Sequence, residues 1–126
     1  MTTKVLHNPR CKKSRDTVAY LESNKIPHQI IKYLEAPPTV NELQTIVKQL
    51  GIKPEQLVRK KEKLYKELSL GSAKLSDLEW IQLLVDHPSL IERPIVQHEK
   101  QAVIGRPLDN VIALFENKWS LSPSPN

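Results

Sequence analysis

Two hydrophobic periodicities divide this 126-residue chain. Short apolar runs that are typical of strands occur at residues 4–7 and 29–33, and helical spacing lies between them over residues 11–24. The segment that ends at Pro27 breaks this helix. Because a helix between two strands so close in sequence favours a right-handed crossover, this stretch predicts a β-α-β unit.

The middle of the chain has helical spacing throughout. Thr39 followed by Glu42 matches a capping box, and Ser76 followed by Glu79 matches a second one. Each capping box precedes apolar residues that recur every three or four positions. We therefore predict that residues 39–88 form a wholly helical block.

The last third of the chain predicts a hairpin and a final helix. Strand-like runs at residues 95–98 and 102–104 are separated by a few polar residues, which favours an antiparallel pair. Pro107 is predicted to begin the last helix. Residues 119–126 have the composition of a frayed tail.

This order of elements, β-α-β, helical block and β-β-α, is that of an α/β thioredoxin-like fold with a large helical insertion between the second and third strands. The chain is long enough to bury one hydrophobic core, so we expect a single domain over residues 1–126, with the insertion at about 39–88. This plan usually places a functional group at the start of the first helix. Cys11 lies there.

Composition narrows the cellular context of the protein. With 39% hydrophobic and 26% charged residues, the chain is typical of soluble globular proteins. It has no apolar run of membrane-spanning length and no signal-peptide pattern, and its single cysteine suits a reducing compartment. We therefore expect a cytoplasmic protein with no membrane partner. The absence of heptads favours a monomer.

The formal net charge of +5 favours an anionic partner. Aromatic residues make up only 5% of the chain, so it lacks the stacking platform that single-strand nucleic-acid binders use. Lysines of the helical block alternate with glutamates, as on a solvated helix surface. We therefore expect a small anion rather than nucleic acid as the ligand.

Cys11 is the residue that the sequence marks for chemistry. It lies at a predicted strand-to-helix turn and is flanked by Arg10, Lys12 and Lys13. Because a helix N-terminus and nearby cations both favour the thiolate, this position suits a reactive thiol, although a lone cysteine is also often a small buried core residue. There is no second cysteine, so a thiol from another molecule must resolve any covalent state of Cys11.

Three arginines and one histidine are candidates to act with Cys11. Arg59, Arg93 and Arg106 each lie at a predicted element boundary, where side chains converge on clefts, and guanidinium groups bind oxyanions through paired hydrogen bonds. His7 ends the first predicted strand and is close enough in sequence to reach the thiolate. The alternatives are solvated arginines and a histidine that hydrogen-bonds to the backbone.

Several other classes of site do not fit this sequence. A cysteine-dependent phosphatase needs five residues between its cysteine and arginine, whereas Arg15 follows Cys11 after three. Ser14 occupies the place of the second cysteine in a redox C-x-x-C motif. The four histidines have no metal-ligand spacing, so no metal site is expected.

Taken together, these motifs resemble the ArsC-type arsenate reductase family. The resemblance covers residues 4–116. It is carried by five segments in the family's order, namely His7-Asn8-Pro9-Arg10-Cys11-x-Lys13-Ser14-Arg15, Tyr33-Leu34-Glu35-x-Pro37, Leu57-Val58-Arg59-Lys60, Glu92-Arg93-Pro94-Ile95-Val96 and Gly105-Arg106-Pro107. Lys13 makes the chain similar to an ArsC-like branch whose physiological substrate is not assigned.

The resemblance implies a thioredoxin-like fold and the reduction of arsenate to arsenite, with glutathione as co-substrate, glutaredoxin as partner and no bound cofactor. It implies that Cys11 is the nucleophile and that His7 lowers the pKa of the Cys11 thiol. It also implies a cis peptide bond before Pro94. The residues implied to hold the oxyanion are Arg59, Arg93 and Arg106, and those implied to support the site are Asn8, Ser14, Arg15 and Pro94.

Two other functions remain open at this level. The same fold resembles the Spx-type regulators, which bind RNA polymerase and sense oxidants. Those proteins typically carry C-x-x-C and have less reason to keep all three arginines, so the intact arginines and the broken motif favour an enzyme. A thiol oxidoreductase acting on another substrate, such as a glutathione mixed disulfide, would use the same thiolate.

Overall fold

The structure is a computed structural model that describes the backbone of residues 3–121 and the side chains of residues 3–116. The chain divides into two compact units. The sheet unit comprises Met1–Ile31 and Arg93–Asn126, and the helical unit comprises Lys32–Glu92. The strands are β1 (Thr3–Leu6), β2 (Gln29–Ile31), β3 (Ile95–His98) and β4 (Gln101–Ile104). The α-helices are α1 (Lys12–Ser23), α2 (Val40–Leu50), α3 (Lys63–Glu67), α4 (Asp77–Asp86) and α5 (Asp109–Leu121).

The sheet unit contains a four-stranded mixed sheet with the order β2-β1-β3-β4. β1 pairs parallel with β2, which confirms the predicted β-α-β unit. β3 pairs antiparallel with β4, which confirms the predicted hairpin. β3 also pairs antiparallel with β1. The first two strands end at Leu6 and Ile31, earlier than the predicted ends at residues 7 and 33.

The core of the sheet unit joins both of its helices to the central strands. Val5 of β1 lies opposite Val96 of β3, and both side chains are fully buried. They form one apolar cluster with Leu21 of α1 and with Val111 and Phe115 of α5. Burial of this apolar surface, at about 25 cal/mol per Å², holds the helices against the sheet.

The last helix differs in extent from the prediction. It was expected to begin at Pro107, but it begins at Asp109, after a turn in which the Asn110 N–H donates to the Pro107 carbonyl oxygen over 3.0 Å. α5 continues to Leu121, and so enters the segment predicted as a frayed tail at residues 119–126. Residues 122–126 of that tail lie outside the described residues.

The helical unit is built around α2 and α4. Both predicted capping boxes are present, and in the first the Thr39 hydroxyl accepts from the Glu42 N–H over 3.1 Å while Glu42 Oε1 accepts from the Thr39 N–H over 2.9 Å. Gly51 ends α2 with φ 69°, a left-handed conformation that glycine adopts at little cost. The buried faces of α2 and α4 consist of Leu43, Ile46, Val47, Trp80, Ile81 and Leu84.

The prediction that residues 39–88 are wholly helical is wrong at Val58. A 3₁₀ helix ends at Leu57, and Val58 has extended backbone angles and bridges antiparallel to Ile91. The Arg59 N–H donates to the Leu90 carbonyl over 2.7 Å, and the Glu92 N–H donates to the Leu57 carbonyl over 2.8 Å. A β-branched residue suits this extended pairing, whose partner lies too far along the chain for local spacing to indicate it.

Candidate active site

Cys11 is the N-cap residue of α1. Its backbone is extended, with φ −94° and ψ 123°, and its carbonyl oxygen accepts from the Arg15 N–H over 3.0 Å. The side chain is half-buried. The thiol therefore lies at the positive end of a twelve-residue helix, with access to solvent.

The surroundings of Cys11 favour its thiolate form. Burial alone raises the pKa of the thiol, but hydrogen bonding from the Ser14 N–H, the charge of Arg93, the Lys13 N–H and the Ser14 hydroxyl together lower the pKa below its ordinary value. The neutral thiol makes no conventional capping hydrogen bond. The N–H groups of the first helical turn thus act on the charged sulfur, as expected for a helix N-terminus.

The loop before Cys11 is fixed by its own polar side chains. The hydroxyl of Ser14, which is fully buried, accepts from the Asn8 N–H over 3.3 Å. The Asn8 side-chain oxygen accepts from the Arg10 N–H over 3.0 Å. Arg15 Nη1 donates to the Pro9 carbonyl over 3.0 Å. Three residues that the sequence assigned to supporting positions therefore hold the loop and the first turn of α1 together.

The charge of Lys12 is paired on the exposed surface of α1. Its ammonium group pairs with Asp16 over 3.1 Å, and the Lys12 side chain is 77% exposed. The Lys12 side chain is therefore solvated. The neighbouring Lys13 acts on Cys11 through its backbone N–H.

Arg93 precedes β3 and Arg106 follows β4, so both lie at the open end of the β3–β4 hairpin. The Arg93–Pro94 peptide bond is cis, as the family resemblance implied, and the Arg106–Pro107 bond is also cis, which was not predicted. The Gly105 N–H donates to the Pro94 carbonyl over 2.8 Å, so the segments that carry the two arginines are adjacent. Arg93 is half-buried and its charge reaches Cys11, whereas Arg106 is exposed.

His7 directly follows β1, where its side chain is buried. Its backbone N–H donates to the Ile31 carbonyl over 2.8 Å, which extends the pairing of β1 with β2 by one residue. The histidine therefore has a fixed place next to the loop that leads to Cys11. A direct effect of its imidazole on the thiol stays a prediction.

Arg59 belongs to the helical unit. Its guanidinium donates from Nη1 to the Ser89 carbonyl over 3.4 Å and pairs with Glu62 over 3.2 Å. The contact with Ser89 and the 2.7 Å backbone hydrogen bond to Leu90 tie Arg59 to the segment that ends the unit. The side chain is 22% exposed, so part of it remains accessible to solvent.

Sequence reasoning missed two residues behind the site, Thr17 and Gly105. Thr17 is fully buried on the inner face of α1, and Gly105 is buried at the end of β4. The available signal was the glycine of the Gly105-Arg106-Pro107 motif, since a glycine after a strand often marks a close approach of two backbones.

Residues 3–116 contain no group of three or more His, Cys, Asp or Glu side chains placed to hold a metal ion. None of the helices within the described backbone has the length and apolar character that a bilayer-spanning segment needs.

The sequence profile of the ArsC family matches residues 6–114, which include Cys11 and all three arginines. The chain belongs to the ArsC family. This ArsC-family protein is similar to an arsenate reductase of Neisseria meningitidis serogroup A, with 42% identity over 89% of this chain and 97% of the relative. It is also similar to YfgD of Escherichia coli K12, an uncharacterized protein, with 44% identity over 88% of this chain and 94% of the relative.

A solved structure of an arsenate reductase from Vibrio cholerae shares the fold of this ArsC-family protein. The two chains are 48% identical and superpose with a TM-score of 0.84, covering 89% of this chain and 96% of the other. This similarity confirms the predicted thioredoxin-like α/β fold.

Proposed function

We propose that this ArsC-family protein is an arsenate reductase that acts through the Cys11 thiolate and is regenerated by glutathione and glutaredoxin. The observation that carries the proposal is the position of Cys11, which caps the N-terminus of α1 with its side chain only half-buried. There the N–H groups of the first turn and the charge of Arg93 lower the pKa of its thiol. A thiolate beside a guanidinium is suited to attack an oxyanion, because the same positive charge activates the nucleophile and attracts the substrate.

The chemistry begins with attack of the Cys11 sulfur on arsenic(V), which forms a sulfur–arsenic bond and expels one oxygen as water. A glutathione thiol then displaces a second oxygen of the adduct as water and forms a second sulfur–arsenic bond. A glutaredoxin thiol attacks the glutathione sulfur, which forms a glutathione–glutaredoxin disulfide and leaves the electron pair of the broken sulfur–arsenic bond on arsenic. Water then cleaves the remaining bond between Cys11 and arsenic(III), which releases arsenite and the Cys11 thiol. Over the whole cycle two external thiols become one disulfide, arsenate gains two electrons, and arsenite is released. The single cysteine of the chain supports this route, since no internal thiol is available to resolve the adduct.

We assign the oxyanion to the guanidinium groups of Arg93, Arg106 and Arg59. Arg93 and Arg106 are supported by the adjacency of their segments through the Gly105–Pro94 hydrogen bond. Arg59 is supported by the family motif in which it occurs and by the exposed part of its side chain. Planar guanidinium groups donate paired hydrogen bonds to a tetrahedral oxyanion and stabilise the charge that develops during attack.

The supporting residues act on the geometry of Cys11. We propose that Ser14 stabilises the thiolate, that Asn8 and Arg15 hold the preceding loop, and that Pro94 shapes the wall that faces the sulfur. His7 is assigned to lowering the pKa of Cys11 further. We also expect the protein to be a monomer that needs no bound cofactor.

Coupled turnover tests the proposed function. Arsenate is added to the protein with glutathione, glutaredoxin, glutathione reductase and NADPH, and oxidation of NADPH is followed for the wild type and for Cys11→Ser. We expect arsenate-dependent turnover that Cys11→Ser abolishes. Turnover that survives this substitution would overturn the role of Cys11. Absence of wild-type turnover, with Cys11 still alkylated rapidly by iodoacetamide, would overturn arsenate as the substrate and point to another thiol reaction.

A further inference from the structure

Gly105 lies where no side chain fits. A Cβ atom at this position would be 2.8 Å from Thr17 Oγ1, 2.9 Å from Pro94 Cγ and 3.1 Å from Val111 Cγ2. All three neighbouring residues are buried, so none has solvent into which it could withdraw. Positive φ is seen at Gly51 alone among the glycines, so Gly105 is needed for space rather than for an unusual backbone conformation.

The neighbours of Gly105 adjoin the residues of the candidate active site. Thr17 is on the inner face of α1, the helix that Cys11 caps. Pro94 directly follows Arg93, and Gly105 directly precedes Arg106. The Gly105 N–H also donates to the Pro94 carbonyl over 2.8 Å. The three segments that carry Cys11, Arg93 and Arg106 therefore meet at one Cα atom.

We propose that Gly105 is a positioning residue for the oxyanion site, because its missing side chain allows α1, Pro94 and the end of β4 to approach closely. This inference rests on the proposed function, in which Arg93 and Arg106 act on a substrate at Cys11. Added bulk at Gly105 pushes at least one of these segments away. Since catalysis depends on placement within about 1 Å, such a displacement is expected to cost far more activity than stability.

The Thr17 side chain is the neighbour that can be altered most simply. Within residues 3–116, no group forms a hydrogen bond with Thr17 Oγ1, so its approach to Gly105 is a packing contact. Thr17→Ala removes the atom nearest to a Cβ at position 105. Thr17→Val keeps an atom in the same region. The pair therefore distinguishes relief of a steric conflict from loss of a polar group.

The test compares Gly105→Ala with Gly71→Ala in the full chain. Gly71 is the matched control, since the nearest atoms to a Cβ there are 3.9 Å away. Folding is checked by circular dichroism, the KM for arsenate and kcat are measured in the coupled assay, and the Cys11 thiol is titrated by its rate of alkylation with iodoacetamide. For Gly105→Ala we expect a folded protein, a KM for arsenate raised at least about tenfold, and alkylation that requires higher pH.

A second test asks whether a change at Thr17 restores the activity of Gly105→Ala. Adding Thr17→Ala to Gly105→Ala is expected to bring the KM for arsenate and the alkylation profile part of the way back to the wild-type values. The rescue should be incomplete because the contact with Pro94 remains. Adding Thr17→Val is expected to restore neither. If Gly105→Ala alone does not fold, the double variant Gly105→Ala/Thr17→Ala is compared with the wild type instead. A raised KM and a shifted alkylation profile in that folded double variant support the proposal, and wild-type values overturn it.

Three results would overturn the proposal. The first is a folded Gly105→Ala variant with wild-type KM and alkylation profile, which would make Gly105 a packing residue only. The second is an equal effect from Gly71→Ala. The third is equal rescue by Thr17→Val and Thr17→Ala. Failure of the proposed function looks different, since the wild type would then lack arsenate turnover while the alkylation profile still reports whether Gly105 positions Arg93 near Cys11.

Discussion

Ser14 acts on the sulfur of Cys11 through both its backbone N–H and its hydroxyl, and both contacts favour the thiolate. Ser14 lies three residues after Cys11 and is fully buried, and its hydroxyl also accepts from the Asn8 N–H. One side chain thus connects the loop before the nucleophile to the nucleophile itself. A second cysteine at this position would give a C-x-x-C redox pair, whereas serine supports a thiol that depends on external partners.

Ser14→Ala is expected to raise the pKa of Cys11 toward its ordinary value. The increase should be smaller than that caused by loss of Arg93, because the Ser14 N–H remains and the hydroxyl is the weaker of these influences. The rate of alkylation by iodoacetamide as a function of pH measures the change. Ser23→Ala, at the exposed C-terminal end of α1, is the control and should leave the profile unaltered. An unchanged profile in Ser14→Ala would contradict a role for the hydroxyl.

The lowered pKa of Cys11 also predicts how stability depends on pH. A group whose pKa is depressed in the folded state stabilises that state above its ordinary pKa, and this contribution is lost as pH falls through the folded pKa. The free energy of unfolding of the wild type relative to Cys11→Ser should therefore increase from the folded pKa up to the ordinary thiol value of 9.0. Urea denaturation of both proteins across this pH range measures the difference in the free energy of unfolding.

Serine is itself a good N-cap, so the pH-dependent part of the difference is the relevant quantity. A difference that stays constant with pH would contradict the lowered pKa.

Arg93 is expected to have two separable roles. Arg93→Met removes the charge and should raise the pKa of Cys11, whereas Arg93→Lys keeps a cation and should preserve more of the lowered pKa. Both variants should raise the KM for arsenate, by about tenfold or more for Arg93→Lys, because an ammonium group lacks the paired donors of a guanidinium. Alkylation profiles and steady-state kinetics are the two measurements. A wild-type KM in Arg93→Lys would remove Arg93 from the oxyanion site.

The capping box of α2 predicts a stability effect that is independent of the site. Thr39→Ala removes the hydroxyl that accepts from the Glu42 N–H, and should lower the free energy of unfolding by about 1 kcal/mol. Thr45→Ala is the matched control, since Thr45 lies within the helix and its hydroxyl donates to the Asn41 carbonyl. Alanine is the better helix former there, so no loss is expected. Equal destabilisation by both changes would argue against the cap.

Thr17→Val should stabilise the protein. The Thr17 hydroxyl is fully buried and has no hydrogen-bond partner among residues 3–116, which costs roughly 1–3 kcal/mol of desolvation. Valine keeps the shape of threonine without this cost, so we expect the free energy of unfolding to rise by about 1 kcal/mol or more. Thermal or urea unfolding measures the gain. Destabilisation would show that the hydroxyl is satisfied in solution.

The elements of this protein were predictable because their signals are local. The capping residues Thr39 and Ser76 lie three positions from the groups they bond, and both boxes are present. The helix predicted over residues 11–24 is observed as Lys12–Ser23. The parallel pairing of β1 with β2 and the hairpin of β3 and β4 were predicted and are confirmed, whereas the pairing of β1 with β3 was not predicted. Val58 was misassigned because its strand partner, Ile91, is remote in the chain.

Part of the environment of Cys11 could also be predicted from the sequence. A cysteine that caps a helix meets the N–H groups of Lys13 and Ser14 whatever else the fold does, so part of its activation follows from local geometry. What local geometry does not contain is the charge of Arg93 beside the thiol or the close approach of Thr17 and Gly105. Those depend on the pairing of Leu6 with Ile95 and of Ile95 with Ile104 across the sheet. Electrostatic and packing contacts act over a few ångströms, and that separation is set by burial of the shared core rather than by spacing along the chain.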